Sequence, residues 1–197
     1  MMPLIKERGL DVDDLYSFRP ISNVSLVSKM LERLVCERIN IHLGKIGTLP
    51  LGQSAHCRNY STKTALTKVV SDIIMAADAG DVTVLALLDL SVAFNTVIHI
   101  ILLQRLQTTH HVTGNALQWF RSYHHGRYQS VLFAGGTSTP VSVAHDVPQD
   151  SVLGPLLFIL YSSDIHRIIA KDGSFRSNCR LHETQISLAT CYRTCPI

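Results

Sequence analysis

The first part of the chain carries apolar residues at helical spacing and predicts two amphipathic helices. After Ser25, a suitable N-cap, apolar side chains recur at intervals of three and four residues as far as Leu43, with charged residues between them. The same pattern returns from about Thr62 and ends at Gly80. Residues 52–59, between the two patterns, are expected to form a loop.

The rest of the chain predicts strands as well as helices. Residues 82–88 form a nearly continuous apolar run rich in β-branched side chains, which is typical of a strand buried on both faces. The further elements expected are two short helices at 98–109 and 114–124, a hairpin of 129–134 with 139–144 that turns at 135–138, a helix at 152–169 and a weak hairpin at 178–190. This order indicates an α+β fold in which helices cover one face of a small antiparallel sheet.

Composition narrows the class of protein. Of the 197 residues, 46% are apolar and 17% are charged, whereas globular domains carry about a quarter charged residues. This low share of charge indicates a large amount of buried or interface surface. The net charge of +3 is compatible with a nucleic-acid partner but does not require one. Collagen-like and disordered chains are excluded by the composition.

Cysteine usage and hydropathy indicate an intracellular protein that is neither secreted nor inserted in a membrane. The five cysteines are odd in number, irregularly spaced and not preceded by a secretory signal, which favours a reducing compartment. The longest apolar stretch, residues 152–161, is interrupted by Gly154 and Pro155. It is far shorter than the roughly 20 residues that a membrane span needs.

Asp89 is the first candidate for chemistry. It directly follows the predicted buried strand, where a carboxylate is costly to desolvate unless it is exposed, hydrogen-bonded or bound to a metal. Position alone leaves two interpretations open, a turn or helix-cap residue and a functional carboxylate.

The residues around Asp89 favour the functional interpretation. Residues 87–97 read Leu-Leu-Asp-Leu-Ser-Val-Ala-Phe-Asn-Thr-Val, which resembles the first catalytic motif of reverse transcriptases from non-LTR (LINE-type) retrotransposons. Five other segments resemble motifs of that family in the same order: Phe-Arg-Pro-Ile-Ser-Asn at 18–23, Lys-Met-Leu-Glu-Arg at 29–33, the Gln-Ser loop at 53–62, Trp-Phe-Arg-Ser-Tyr within 116–123, and Val-Pro-Gln followed by Ser-Val-Leu-Gly-Pro within 147–158. Six matches over roughly residues 16–190 make a chance resemblance improbable.

This resemblance implies a right-hand polymerase that copies an RNA template from a DNA primer, with fingers in residues 1–80 and palm in 81–197. Such a palm holds two Mg²⁺ ions about 3.5–4 Å apart on carboxylates from two different strands. Asp89 would supply the first carboxylate. Phe94 would lie under the incoming sugar, although it also suits an ordinary core position, and Gln149 would contact nucleotide and template. The basic candidate contacts, which also suit solvated helix faces, are Arg58 at the nucleotide and Arg19, Lys29, Arg33 and Lys63 along the template.

The second metal-binding motif of the family is not matched. When the chain is aligned on Thr184-Gln185-Ile186, His182 and Glu183 stand where the family has two aspartates. Glu183 is a doubtful substitute because its extra methylene displaces the carboxylate oxygens, and His182 is a poor ligand for Mg²⁺. The two-metal site is therefore not expected to assemble, and the chain is expected to be catalytically inactive.

Other departures suggest a degenerate and truncated copy of a retroelement. Asp146 and Asp150 replace both glycines beside Val-Pro-Gln, where glycine permits unusual backbone angles. Asn95 replaces an aspartate and Cys57 an arginine, and each of the four changes can arise from one C·G to T·A transition. Neither the endonuclease nor the thumb of the family's polyprotein is expected in the chain. Because the active-site hairpin of the palm is expected to be incomplete, a sheet edge and an apolar face are expected to be uncovered.

Two further interpretations remain open. The alternative function is a non-catalytic nucleic-acid-binding or inert retroelement remnant, with Arg121 as another phosphate contact. A zinc site is the alternative for the tail, where the ligand-like spacing also suits incidental cysteines. Its ligands would be Cys179, His182, Cys191 and Cys195.

Two pairs of histidines lie where predicted helices end. They are His110-His111 and His124-His125. Both pairs are expected to be solvated.

Overall fold

The computed structural model describes residues 1–49, 60–90, 93–170, 175–182 and 185–193. In chain order the elements are β1 (Met2–Ile5), β2 (Phe18–Ile21), α1 (Leu26–Ile46), α2 (Thr62–Asp78), β3 (Thr83–Leu90), α3 (His99–Thr108), α4 (Gly114–His124), β4 (Tyr128–Gln129), β5 (Leu132–Phe133), β6 (Gly136–Thr137), β7 (Val141–Ser142), α5 (Gly154–Ala170), β8 (Phe175–His182) and β9 (Gln185–Arg193). Helices and small antiparallel sheets are thus mixed along the chain, which confirms the α+β class.

The chain divides into two compact units, each made of two separate segments. The first unit comprises residues 1–46 and 94–160, and the second comprises residues 47–93 and 161–197. The expected division at residue 80 into fingers and palm stays a prediction. Across the described residues, none of the helices combines the length and apolarity that crossing a bilayer requires.

The helices lie close to their predicted positions because their ends carry clear signals. Ser61 forms a capping box with Thr64 at the start of α2: the Thr64 amide donates to Ser61 Oγ at 3.2 Å, and the Ser61 amide donates to Thr64 Oγ1 at 2.8 Å. Helix α1 passes through Gly44 and ends before Gly47, whose φ of 63° does not fit a right-handed helix. The helix therefore continues past Leu43, the last residue of the apolar pattern, as far as Ile46.

Helix α1 buries a different face from the one that its apolar pattern predicts. Ile39 and Leu43 are buried as expected, but Val27 and Met30 in the first half of the helix are 76% and 62% exposed. Glu32, on the polar side of the pattern, is only 2% exposed. The Glu32 side of the helix faces inward because a hydroxyl and two backbone amides donate hydrogen bonds to the Glu32 carboxylate, as described below.

The core of the first unit is built around the start of α5. Gly154 and Pro155 open this helix, and the Gly154 amide donates to Ser151 Oγ at 2.9 Å, which caps its first turn. The buried apolar side chains of this unit come from α1, α3, α4, α5 and the segments before α3, α4 and α5: Ile39, Leu43, Val97, Leu102, Leu106, Val112, Leu117, Phe120, Val147, Leu153, Leu156, Leu157, Phe158, Ile159 and Leu160.

The predicted hairpin after α4 forms, but its turn lies earlier than expected. Strand β4 pairs with β7 and β5 with β6, so the pairing is interrupted in the middle. Ala134 and Gly135 connect β5 to β6 with φ of 49° and 78°, the signature of a primed two-residue turn. The run of glycine and polar residues at 135–138 therefore includes the start of a strand.

The second unit contains a three-stranded antiparallel sheet in the order β3-β9-β8. The weak hairpin predicted near the end of the sequence is confirmed as β8 and β9. Helix α2 packs against all three strands, so a helix covers one face of the sheet as expected. Leu85 in β3 is 41% exposed, so the expectation of a strand buried on both faces is wrong at this position.

One member of each histidine pair is buried, which contradicts the expectation that both pairs are solvated. His110 and His124 are 0% and 4% exposed, while His111 and His125 are exposed. The Nε2 of His110 donates to the carbonyl oxygen of Leu160 at 3.2 Å, since that oxygen can only accept. Helix ends expose backbone groups that a histidine can reach, so a position at a helix end does not imply contact with water.

Candidate nucleic-acid and nucleotide site

Asp89 lies near the carboxyl end of β3, at one end of the sheet of the second unit. Asp89 in β3 stands opposite Ser187 in β9, and Leu90 stands opposite Ile186. Strand β8 ends at His182, which pairs with Gln185 at the start of β9. The connection of the β8–β9 hairpin and the carboxyl end of β3 therefore lie at the same end of the sheet. Glu183 lies outside the described residues.

The strands beside Asp89 do not provide the chemistry of a magnesium pair. Strand β8 reads Phe-Arg-Ser-Asn-Cys-Arg-Leu-His and β9 reads Gln-Ile-Ser-Leu-Ala-Thr-Cys-Tyr-Arg, so neither contains a carboxylate. Mg²⁺ is bound in proteins mainly by carboxylates together with water and substrate phosphates. Asp89 is thus the only carboxylate in the described strands of this sheet. These residues do not fit two Mg²⁺ ions.

The zinc alternative needs its four candidate ligands around one ion, and the positions of two of them contradict it. His182 lies at the turn end of the hairpin, whereas Cys191 pairs with Arg176 near the other end. Six residues of strand separate these positions, which is roughly 20 Å at about 3.3 Å a residue. Zinc ligands lie within about 2.3 Å of one ion, so His182 and Cys191 cannot share it. The fourth candidate, Cys195, lies outside the described residues.

Three of the motif segments come together in the first unit. The Val147 amide donates to the carbonyl oxygen of Phe94 at 2.9 Å, and the Asp146 amide donates to the carbonyl oxygen of Val97 at 3.0 Å. The Ser22 amide donates to the carbonyl oxygen of Gln149 at 3.0 Å. The segments containing Phe94, Gln149 and Arg-Pro-Ile-Ser are therefore held side by side by their main chains.

The surroundings of Phe94 bear on its two interpretations, an ordinary core position and a position under the incoming sugar. Its ring meets the Phe158 ring edge-on, with centroids 5.8 Å apart and planes at 70°. The side chain is nevertheless only half-buried. One part of the ring therefore packs on the core, and the rest is exposed to solvent.

Asp146 and Asp150 adopt the backbone conformations for which the sequence predicts glycine. Their φ angles are 138° and 73°. Asp150 lies near the left-handed region, which aspartate tolerates better than most residues, whereas 138° is rarely accessible to any residue with a Cβ. The two substitutions therefore keep the glycine geometry of the loop at a cost in strain.

We expect Asp146→Gly to raise the free energy of unfolding by about 1–2 kcal/mol, because it relieves the strain but adds glycine entropy. Burial, opposed by Arg127 and His99, raises the pKa of Asp146. A carboxyl whose pKa is raised in the folded state destabilises the protein as the pH rises through that pKa. The gain in stability from Asp146→Gly should therefore be larger at neutral than at acidic pH. Urea unfolding at both pH values measures it. Asp146→Asn removes the charge and keeps the strained φ, and an equal gain from both variants would contradict the backbone explanation.

The basic candidates differ in how free they are to bind phosphate. Lys29 Nζ lies 2.8 Å from Asp150 Oδ2, so one of the substituted aspartates already holds it. Arg19 is half-buried, and its buried Nε has no hydrogen-bond partner. Arg33, Lys63 and Arg121 are exposed, and Arg58 lies outside the described residues.

Glu32 is a residue of this region that the sequence analysis missed. Its carboxylate accepts hydrogen bonds from Tyr123 Oη at 2.9 Å, the Val152 amide at 2.7 Å and the Leu153 amide at 3.4 Å. Burial and the adjacent Glu32 raise the pKa of Tyr123 well above its ordinary value, so this phenol remains a donor. Glu32 therefore ties α1 to α4 and to the segment that follows Gln149. The sequence offered one sign of this role: Glu32 is a glutamate inside a family motif, whereas the other residues of that motif fit an ordinary amphipathic helix.

Comparison with known proteins decides what these segments belong to. The family model of reverse transcriptase (RNA-dependent DNA polymerase) matches residues 5–182. The chain belongs to the reverse transcriptase family. This match covers the segments of both units that carry Phe94, Gln149 and Asp89.

The relatives of this reverse transcriptase domain come from non-LTR retrotransposons, as its motifs predicted. It is 35% identical over 165 residues to the probable RNA-directed DNA polymerase from transposon X-element of Drosophila melanogaster, which covers 84% of this chain and 18% of that protein. It is 31% identical over 184 residues to the RNA-directed DNA polymerase from mobile element jockey of Drosophila funebris, covering 93% of this chain and 19% of that protein. The chain thus spans about a fifth of the length of these curated relatives.

Proposed function

We propose that this chain is a fingers and palm portion of a non-LTR reverse transcriptase that no longer polymerises. The observation that carries this proposal is the carboxylate content of the three-stranded sheet, with Asp89 in β3 and none in β8 or β9. Nucleotide transfer in this class of polymerase depends on two metal ions held by carboxylates from different strands. A single strand-borne carboxylate does not hold that pair.

The proposed partners are an RNA template and a DNA primer. Supporting this, the segments of Phe94, Gln149 and Ser22 are joined by main-chain hydrogen bonds, so the surface that the family uses around the nucleotide keeps its framework. Arg19, with its unpartnered Nε, and the exposed Arg33 belong to the same unit and would contact phosphates. In this proposal the chain keeps the hydrogen-bonded segments and the basic side chains that would contact nucleic acid, and it has lost the carboxylates that would bind the metal ions.

Primer extension tests the loss of polymerisation. With poly(A) template, oligo(dT) primer and either Mg²⁺ or Mn²⁺, we expect no extension above that of an Asp89→Ala variant, because two-metal catalysis typically supplies many orders of magnitude in rate. The His182→Asp/Glu183→Asp double variant, which places the family's aspartate pair in the chain, serves as the gain-of-function comparison. Extension by the unmodified chain that disappears in Asp89→Ala would overturn the proposal.

One contact weakens the alternative function, which is binding of nucleic acid without catalysis. Asp150 holds Lys29 in an ion pair that is partly exposed on both sides. Such a pair contributes at most about 1 kcal/mol to stability. It does, however, place a carboxylate where a template phosphate would meet the lysine.

We expect Asp150→Gly to tighten binding of single-stranded RNA several-fold and to steepen its dependence on log salt concentration by roughly one phosphate contact. Fluorescence anisotropy at several salt concentrations measures both quantities. Asp150→Asn is the matched control, since it frees Lys29 without relieving the backbone at φ 73°. Both variants should bind alike if charge decides. A gain with Asp150→Gly but none with Asp150→Asn would attribute the effect to the backbone instead.

The proposed loss of activity has an evolutionary explanation that nucleotide sequences can test. Asp146, Asp150, Asn95 and Cys57 each lie one C·G to T·A transition from the family residue, which is the pattern of an unselected, methylated copy. Related genomic copies should therefore carry synonymous and non-synonymous changes at similar rates. A clear excess of synonymous changes would show that the open reading frame is under selection.

A further inference from the structure

A cavity of about 600 Å³ lies in the first unit, between α3, α4 and the strand segment before Asp146. Its walls include the aliphatic side chains of Leu103 and Leu117, the amide of Gln104, and the rings of His99 and His124. Arg121 also lines it and is exposed to solvent. The cavity uses neither Phe94, Gln149 nor Asp89, so it is separate from the residues of the proposed polymerase site.

His124 is the unusual member of this lining. The side chain is 4% exposed, and neither its Nδ1 nor its Nε2 has a hydrogen-bond partner. Leaving a buried polar group unpaired is unfavourable, so such a group calls for a partner. A neutral imidazole offers one N–H donor and one acceptor nitrogen in the plane of the ring.

The neighbouring ring is held in place. His99 lies against His124 with ring centroids 4.4 Å apart and planes at 37°. The Nε2 of His99 donates to the carbonyl oxygen of Asp146 at 2.8 Å, which fixes its orientation. The lining of the cavity therefore contains one hydrogen-bonded ring, His99, packed against a second ring, His124, whose two nitrogens have no partner.

We infer that this cavity binds the base of a mononucleotide, with His124 hydrogen-bonding to the base and Arg121 pairing with the phosphate. A nucleobase is a planar heteroaromatic ring with donors and acceptors on one edge, which complements His124 and Gln104. Its faces pack well against aliphatic and aromatic walls. The exposed guanidinium of Arg121 supplies the charge that a phosphate outside the cavity requires. A deeply buried phosphate is disfavoured, because the rest of the lining named above carries no cation.

Isothermal titration with adenosine 5′-monophosphate, without template, primer or metal, tests the inference. The full chain should bind AMP in a saturable manner, and His124→Phe should weaken binding about tenfold by keeping the flat ring and removing both nitrogens. Arg121→Ala should weaken AMP binding but leave adenosine binding unchanged. His111→Phe, which changes an exposed histidine outside this cavity, is the matched control and should bind like the parent chain.

Three results would overturn the inference. They are the absence of saturable AMP binding, equal binding by the parent chain and His124→Phe, and equal affinity for ribose 5-phosphate and AMP. The last result would show that only the phosphate is recognised. Thermal unfolding of each variant at neutral pH establishes that the compared chains are folded. Because the titration needs neither extension nor RNA, its outcome is independent of the proposed loss of polymerisation.

Discussion

Glu32→Ala is expected to lower the free energy of unfolding by about 4 kcal/mol, the largest effect that we expect of any single substitution. The carboxylate is 2% exposed and accepts from the Tyr123 hydroxyl and from the amides of Val152 and Leu153. Alanine leaves all three donors without that acceptor, two of them at the start of α5. Hydrogen bonds to a charged group contribute about 1.5–3 kcal/mol each, so losing several at once is severe.

Urea unfolding followed by circular dichroism measures this effect. Glu37→Ala is the matched control because Glu37 is an exposed glutamate on the same helix, and it should change stability by less than about 0.5 kcal/mol. Glu32→Gln keeps the shape and one acceptor oxygen, so it should fall between the two at roughly 2 kcal/mol. Equal midpoints for Glu32→Ala and Glu37→Ala would show that the buried carboxylate does not hold the segments together.

The second large effect is a loss of stability in acid caused by His124. Burial, with His99 and Arg127 nearby, lowers the pKa of His124 to about 3. In the unfolded chain this imidazole titrates near its ordinary value of about 6.5. Its contribution is therefore complete above about pH 6.5 and falls as the pH drops toward 3, to a total of about 4 kcal/mol. For a domain of ordinary stability, this loss is a large part of the whole.

Unfolding free energies measured between pH 7 and pH 4 test this expectation. His124→Phe cannot take up a proton, so its curve should be flatter than that of the parent chain over the same range. Asp146, which has a raised pKa and shares the neighbours Arg127 and His99, acts in the opposite direction, and the Asp146→Asn background separates the two groups. If His124→Phe and the parent chain lose stability in parallel, the acid sensitivity comes from groups other than His124.

The sequence predicts the helices of this protein well because their ends carry local signals. The Ser61 capping box and the positive φ of Gly47 depend on neighbouring residues alone. The burial of Glu32 is different in kind, since it depends on amide donors more than a hundred positions away. Periodicity therefore located α1 correctly and chose the wrong face for its first half.

In the candidate site, too, the features set by neighbouring residues were predictable from the sequence, and the contacts between distant residues were not. The need for glycine geometry beside Val-Pro-Gln was readable from the motif, and Asp146 and Asp150 have the positive φ angles that it requires. The capture of Lys29 by Asp150 was not readable, because the two residues meet only in the folded chain. The burial of His124 escaped prediction for a related reason: its ring packs against His99, which lies on another helix.

The main-chain tie between Ser22 and Gln149 and the Glu32 carboxylate hold the Gln149 segment from both sides. Both anchors come from the part of the chain that leads into or forms α1. Residues 147–153 consequently cannot detach from the fold on their own while α1 stays docked. We therefore expect residues 147–153 and α1 to open together in one cooperative event, so that the stability of a helix far away in sequence sets how readily this loop opens.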